Sequence, residues 1–206
     1  MIKTLSLMIA LALVSSELYA QPVEIRGVRL SGSGCGAATA TAIVTADGQT
    51  MSVLFDHYSA EIGTGSENPQ MRTMMKNCNV MIDVNVPAGM QYAIAQTDYR
   101  GFAALPATAY GYHRFTQVVP GVSMPSLREA QLRGPQAQNY SVTVVQKPGR
   151  EVYSKCNNPS QTINLLSELM VSYLPNTTDK TMAQINLDST DTGVNSSFKF
   201  IWRTCR

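Results

Sequence analysis

Cys78-Asn79-Val80-Met81-Ile82-Asp83-Val84-Asn85-Val86 alternates without a break, with Cys78, Val80, Ile82, Val84 and Val86 on one side and Asn79, Met81, Asp83 and Asn85 on the other. A side-chain period of two describes an extended strand buried on one face. Pro87, which has no amide proton to give a ladder, ends it. Cys78 belongs to the core side. The C-terminal stretch repeats the pattern, with Val194, Phe198, Phe200 and Trp202 on one face and Lys199, Arg203 and Cys205 on the other.

Outward from these two stretches, strand patterns recur near residues 23 to 31, 37 to 45, 50 to 56, 90 to 99, 107 to 117, 139 to 147, 162 to 174 and 182 to 187. Turn chemistry separates most of them: Asp47-Gly48, Pro87-Ala88-Gly89, Pro148-Gly149, Pro175-Asn176 and Asp191-Thr192-Gly193. About ten short strands punctuated in this way predict an all-β fold, an antiparallel β-sandwich of Ig-like or jelly-roll-like type. One segment reads two ways. Ile163, Leu166, Leu169, Met170 and Tyr173 make a helical stripe, whereas Ile163, Leu165, Leu169, Val171 and Tyr173 suit a strand. Residues 63 to 76 and 118 to 138 lack a regular pattern and are expected as long loops, where binding residues concentrate on rigid scaffolds. With no internal repeat or linker, residues 21 to 206 read as one domain.

Lys3 followed by the apolar run Leu5 to Val14 and the small polar stretch before Ala20 has the form of a signal peptide spanning residues 1 to 20. A bilayer-spanning helix needs roughly 20 apolar residues, and no later segment approaches that. The expectation is a secreted protein, extracellular, or periplasmic in a Gram-negative host, and not embedded in a membrane. A formal net charge of +2 is too small to argue for nucleic acid.

The four cysteines, Cys35, Cys78, Cys156 and Cys205, are too far apart for the close ligand pairs of a zinc site. In an exported chain an even cysteine count reads as disulfides. Spacing does not choose among the three possible pairings; the sequential one, Cys35 with Cys78 and Cys156 with Cys205, is taken as the expectation. Loops of that length would stabilise the fold by about 4 kcal/mol each in the chain-entropy account.

A series of short motifs occurs in fixed order: Gly32-Ser33-Gly34-Cys35, Val53-Leu54-Phe55-Asp56, Tyr58-Ser59-Ala60-Glu61, Lys76-Asn77-Cys78, Val86-Pro87-Ala88-Gly89, Asp98-Tyr99-Arg100-Gly101, Gly134-Pro135 ahead of Tyr140, Asp188-Ser189-Thr190-Asp191 and Trp202-Arg203-Thr204-Cys205. In order and spacing this resembles the secreted family named domain of unknown function 4360, from fungi and bacteria, over roughly residues 23 to 205. The resemblance implies a disulfide-bonded β protein of uncharacterised role and brings no catalytic residues. That family usually has Pro after the first cysteine; here Gly36 stands there.

Two polar clusters stand out as candidate binding residues: Asp56, His57, Tyr58 and Glu61, and Asp98, Tyr99 and Arg100. Brought together, they would offer carboxylates, an imidazole and a guanidinium for acid-base chemistry or an oxygen-rich metal site. A salt-bridge network joining Arg100 to Asp56 or Glu61 is the structural alternative. Tyr110 and Tyr112 share a strand face and would make a sugar platform or fill the core. Met71, Met74 and Met75 would meet on one helical turn, as thioethers for cuprous ion or as filler. Asn186, Asp188 and Asp191 faintly resemble a calcium loop but depart from its spacing. Asn139, Asn176 and Asn195 begin glycosylation sequons. The chain has no GxSxG elbow, HExxH helix or phosphate-binding loop. The expectation is a secreted, non-enzymatic binding or surface-interaction module with no cofactor, whose partner is a glycan or a cell-surface protein. The alternatives are a hydrolase or lyase acting on extracellular polysaccharide through Asp56, Glu61 and Asp98, a carbohydrate-binding protein, or a protease-inhibitor or toxin-like effector using the loop from Val118 to Gln138.

Overall fold

The computed structural model describes residues 24–122, 126–187 and 196–205. These form twelve strands and no helix: β1 (Glu24–Ser31), β2 (Ala40–Val44), β3 (Thr50–Phe55), β4 (Ser59–Ile62), β5 (Thr73–Asn85), β6 (Met90–Leu105), β7 (Ala109–Val118), β8 (Ser126–Arg133), β9 (Gln136–Val145), β10 (Ser160–Tyr173), β11 (Ala183–Asn186) and β12 (Ser196–Thr204). The stretch 78–86 is the second half of β5 up to Asn85 and the one residue, Val86, that carries it to Pro87, with Cys78, Val80, Ile82, Val84 and Val86 all buried.

Every pairing is antiparallel. One sheet has the order β1-β5-β10-β7-β8. In the other, β2, β3, β12 and β6 lie side by side, and β11 continues along the β12 side of β6 to carry β4. The opposite side of β6 pairs with β9 along residues 96–105. The two sheets face each other, and Ile82, Ile163, Leu165 and Leu169 from one meet Met51, Val53, Phe198 and Phe200 from the other in one apolar core. Burying each such side chain contributes about 1.5–3 kcal/mol. Residue 95 is an extra residue in β6, because Gln96 pairs with Lys199 whereas Ile94 pairs with Phe200. This bulge switches the inward set from Tyr92 and Ile94 to Thr97, Tyr99, Ala103 and Leu105.

Both disulfides have the sequential pairing, Cys35–Cys78 and Cys156–Cys205. The second pins the segment leading into β10 of one sheet to the end of β12 in the other. The ambiguous segment 162–174 is the strand β10, since its neighbours β5 and β7 hold it by ladders on both sides. The expected loop over 118–138 is corrected: β8 and the start of β9 occupy most of it. Both are edge strands, one in each sheet, and edge strands carry polar residues on both faces, which blurs alternation. The other expected loop ends earlier than Lys76, because β5 begins at Thr73. Met71 lies before β5, while Met74 and Met75 point to opposite faces of it, Met74 toward the core and Met75 exposed; the helical turn that would gather them is absent. The leader, Asp188, Asp191 and Asn195 fall outside the described residues.

Candidate functional site

The residues expected to form a site are placed apart by strand alternation. Asp56 and His57 are exposed in the turn between β3 and β4. Tyr58 is fully buried, its ring lying where any side chain on Gly34 would have to go. Its hydroxyl donates to Ser167 Oγ at 3.2 Å, and burial pushes the phenol well above its usual range. Glu61 is half-buried on β4, opposite Gln184, which in turn lies opposite Ala104 of β6. Asp98 lies on the outer face of β6, accepting from Gln96 Nε2 and from Thr143 Oγ1, each at 2.7 Å. Tyr99 points the other way, into the core, with its ring 4.6 Å from Phe115, 4.9 Å from His113 and 5.8 Å from Phe198. Arg100 returns to solvent.

Six residues of strand separate Asp98 from the row that contains Glu61, so these carboxylates are about 20 Å apart at 3.4 Å per residue. Paired glycosidase carboxylates lie within about 5 to 9.5 Å. Arg100 enters no ion pair with Asp56 or Glu61, and no cluster of three or more His, Cys, Asp or Glu side chains suited to a metal occurs, both among the described residues.

Tyr110 and Tyr112 do share the outer face of β7. The Tyr112 hydroxyl donates to Glu168 Oε1 at 2.7 Å, and the Arg114 guanidinium lies 4.5 Å from the ring centre. Burial, with Glu168 adding to it, pushes this phenol up to about 12. Arg114 is itself held by Glu129 at 2.8 Å and Glu168 at 3.4 Å.

Between the sheets, Ser167 joins Tyr58 to His113, whose Nε2 is 3.0 Å from Ser167 Oγ. Burial lowers His113 to about 3, so the ring is neutral at physiological pH. His113 and Ser167 are both buried in the core, away from solvent.

The structure contains a site that the sequence reading did not assemble. At the side of the sandwich where β8 edges one sheet and β9 edges the other, a cleft of about 360 Å³ opens between the layers. Ile94, Val119, Val122, Val144, Val145 and Val152 supply apolar walls, and Thr97, Gln117 and Gln146 a polar floor. Arg128, Lys147 and Arg150 are the charged lining residues. Arg128 lies opposite Phe115 in the ladder and so shares its inward face, with Nη1 donating to the Leu127 carbonyl at 2.7 Å. Among the described residues none of these three cations enters an ion pair. Val145 and Val152 are 61% and 47% exposed, unusual for aliphatic residues that border a cavity. The available sequence signal was the pair Lys147 and Arg150 around the Pro148-Gly149 turn. Arg128 was hidden because its strand did not read as one.

A second groove, between β1 and β2 on the opposite side, is lined by Ile25, Val28, Leu30, Ala40 and Val44. Its cations are engaged, Arg29 with Asp83 and Arg26 with Glu24.

Two facing antiparallel sheets tied by two disulfides define the class, a cross-linked β-sandwich. The chain belongs to the family described as domain of unknown function (DUF4360), which it matches over residues 21–205. It is 28% identical over 184 residues to an uncharacterized secreted protein of Arthroderma benhamiae, covering 89% of this chain and 72% of that one. A solved structure, TmCBM61 in complex with beta-1,4-galactotriose, aligns over 88% of this chain and 91% of its own, at 8% identity and a TM-score of 0.34. That score is too low to bear on a ligand.

Proposed function

We propose that the protein works outside the cell as a non-enzymatic binding module, receiving its ligand in the cleft between the edges of β8 and β9. The observation that carries this reading is the contrast between two sets of residues. The carboxylates that a hydrolase or lyase would need are dispersed over a turn and two strands, whereas an apolar slot is already formed, rimmed by three cations that among the described residues enter no ion pair. Preformed concave sites with apolar walls and a few polar groups are the usual form of small-ligand pockets. The kinship with a secreted protein and the leader-like N-terminus support an extracellular place of work.

A glycan held on the outer face by Tyr110 and Tyr112 is the second reading, favoured by the two rings sharing that face. A screen of the purified protein against small anions, glycans and cell-wall polymers, repeated with Arg128→Ala and with Tyr110→Ala, separates the two. The cleft reading expects saturable binding that Arg128→Ala weakens and Tyr110→Ala does not. Release of reducing ends from a polysaccharide, lost in Asp98→Ala, would overturn it in favour of an enzyme.

A further inference from the structure

We propose that the ligand of this cleft is a single-chain aliphatic anion, a carboxylate whose hydrocarbon tail lies against Ile94, Val119, Val144 and Val152 and whose head sits among Arg128, Lys147 and Arg150. The inference rests on the cleft being the binding site. Four features of the lining select this class.

The walls are aliphatic, with no aromatic ring among the described lining residues. Sugar sites rely on rings to cover the apolar face of a pyranose, so the lining lacks the usual means of holding a glycan. The polar floor is also committed to the protein itself. Gln117 Nε2 donates to Thr97 Oγ1, Gln146 Nε2 donates to the Ile94 carbonyl at 2.8 Å, and Gln146 Oε1 accepts the Val152 amide at 2.8 Å. Gln117 is itself buried, leaving little to offer a row of hydroxyls. A ligand that entered would meet a surface that asks for hydrocarbon.

The charge at the rim is one-signed, since among the described residues the lining includes three cations and no carboxylate. The acids next in sequence to these cations do not line the cleft: Glu151 accepts the Gly149 amide at 3.0 Å, and Glu129 pairs with Arg114 at 2.8 Å. Guanidinium and ammonium groups bordering an apolar slot favour a carboxylate over a neutral head through charge-assisted hydrogen bonds. Finally, the size is right for one chain. A volume of about 360 Å³ is near the lower end of ligand pockets, roughly 300–1,000 Å³. Of the bordering valines, Val152 is 47% exposed and would be covered by a tail.

The probe is decanoate, titrated calorimetrically into the purified protein, with decanol as the neutral analogue and trigalacturonate as an acidic sugar. Decanoate should bind saturably at one site, at least tenfold more tightly than decanol, and Arg128→Ala/Arg150→Ala should weaken it at least tenfold while leaving the unfolding midpoint unchanged. A second variant, Val144→Asp, places a like charge against the tail and should abolish decanoate binding. Equal affinity for decanol and decanoate, or no saturable decanoate binding, would overturn the proposal. Trigalacturonate binding that is lost in the double arginine variant would overturn the aliphatic ligand and keep the cleft. Binding insensitive to both cleft variants would overturn the cleft itself.

Discussion

Tyr58, Ser167 and His113 form a small polar spine through an otherwise apolar interior, linked through Ser167 Oγ, while His113 Nδ1 is buried without a hydrogen-bond partner among the described residues. Removing one hydroxyl, Tyr58→Phe, deletes the bond to Ser167, and a net loss of about 1 kcal/mol in unfolding free energy is expected by urea titration. His113 has a larger signature in pH. It titrates near 6.5 in an unfolded chain and near 3 in the folded protein. Between those values the unfolded state binds more protons. The contribution is therefore complete above about pH 6.5 and is lost as pH falls toward 3, at up to about 1.4 kcal/mol per pH unit. Stability curves of wild type and His113→Phe should diverge over that window and run parallel above it; parallel curves throughout would show His113 protonated in the fold. Asp56, by contrast, is exposed at a turn, and Asp56→Ala should change stability by no more than about 0.5 kcal/mol.

At the level of elements, alternation was legible wherever a strand had one buried and one wet face. Residues 78–86 and the last strand read correctly for that reason, and Pro87 and Gly89 marked the turn between β5 and β6. The reading failed at β8, whose Leu127, Arg128, Glu129 and Gln131 are all exposed at the sheet edge, and β4 was read only as a polar cluster. Alternation also explains why the candidate site dispersed: three successive residues, Asp98, Tyr99 and Arg100, cannot face one cavity from a strand. The cleft could not be read because it depends on which edges face each other, a long-range property. The strand assignment of β10 has a direct check. Leu169 is fully buried and Leu166 is 39% exposed, although a helical stripe would bury both. Leu169→Ala should cost about 2–5 kcal/mol and Leu166→Ala under about 1 kcal/mol in chemical denaturation. Equal losses would favour the helix.

For the molecule as a whole, the disulfides and the open edges have opposite roles. Cys35–Cys78 ties the crossing from β1 to β2 into the core strand β5, and Cys156–Cys205 joins the two layers. Replacing either pair by alanines should lower the unfolding free energy by about 4 kcal/mol through the closed loop alone. A loss near zero would place the stabilisation in the sheets. At the side where β8 and β9 edge their sheets, the layers part, and the space left is the ligand site of this account. The most direct measurement is the change in backbone amide NMR resonances of the labelled protein on adding decanoate. Shifts confined to residues around the cleft are expected, among them Ile94, Gln117, Arg128, Val144 and Arg150, with Tyr110 and Tyr112 unmoved. Shifts centred on the outer face of β7, or none at saturating decanoate, would contradict it.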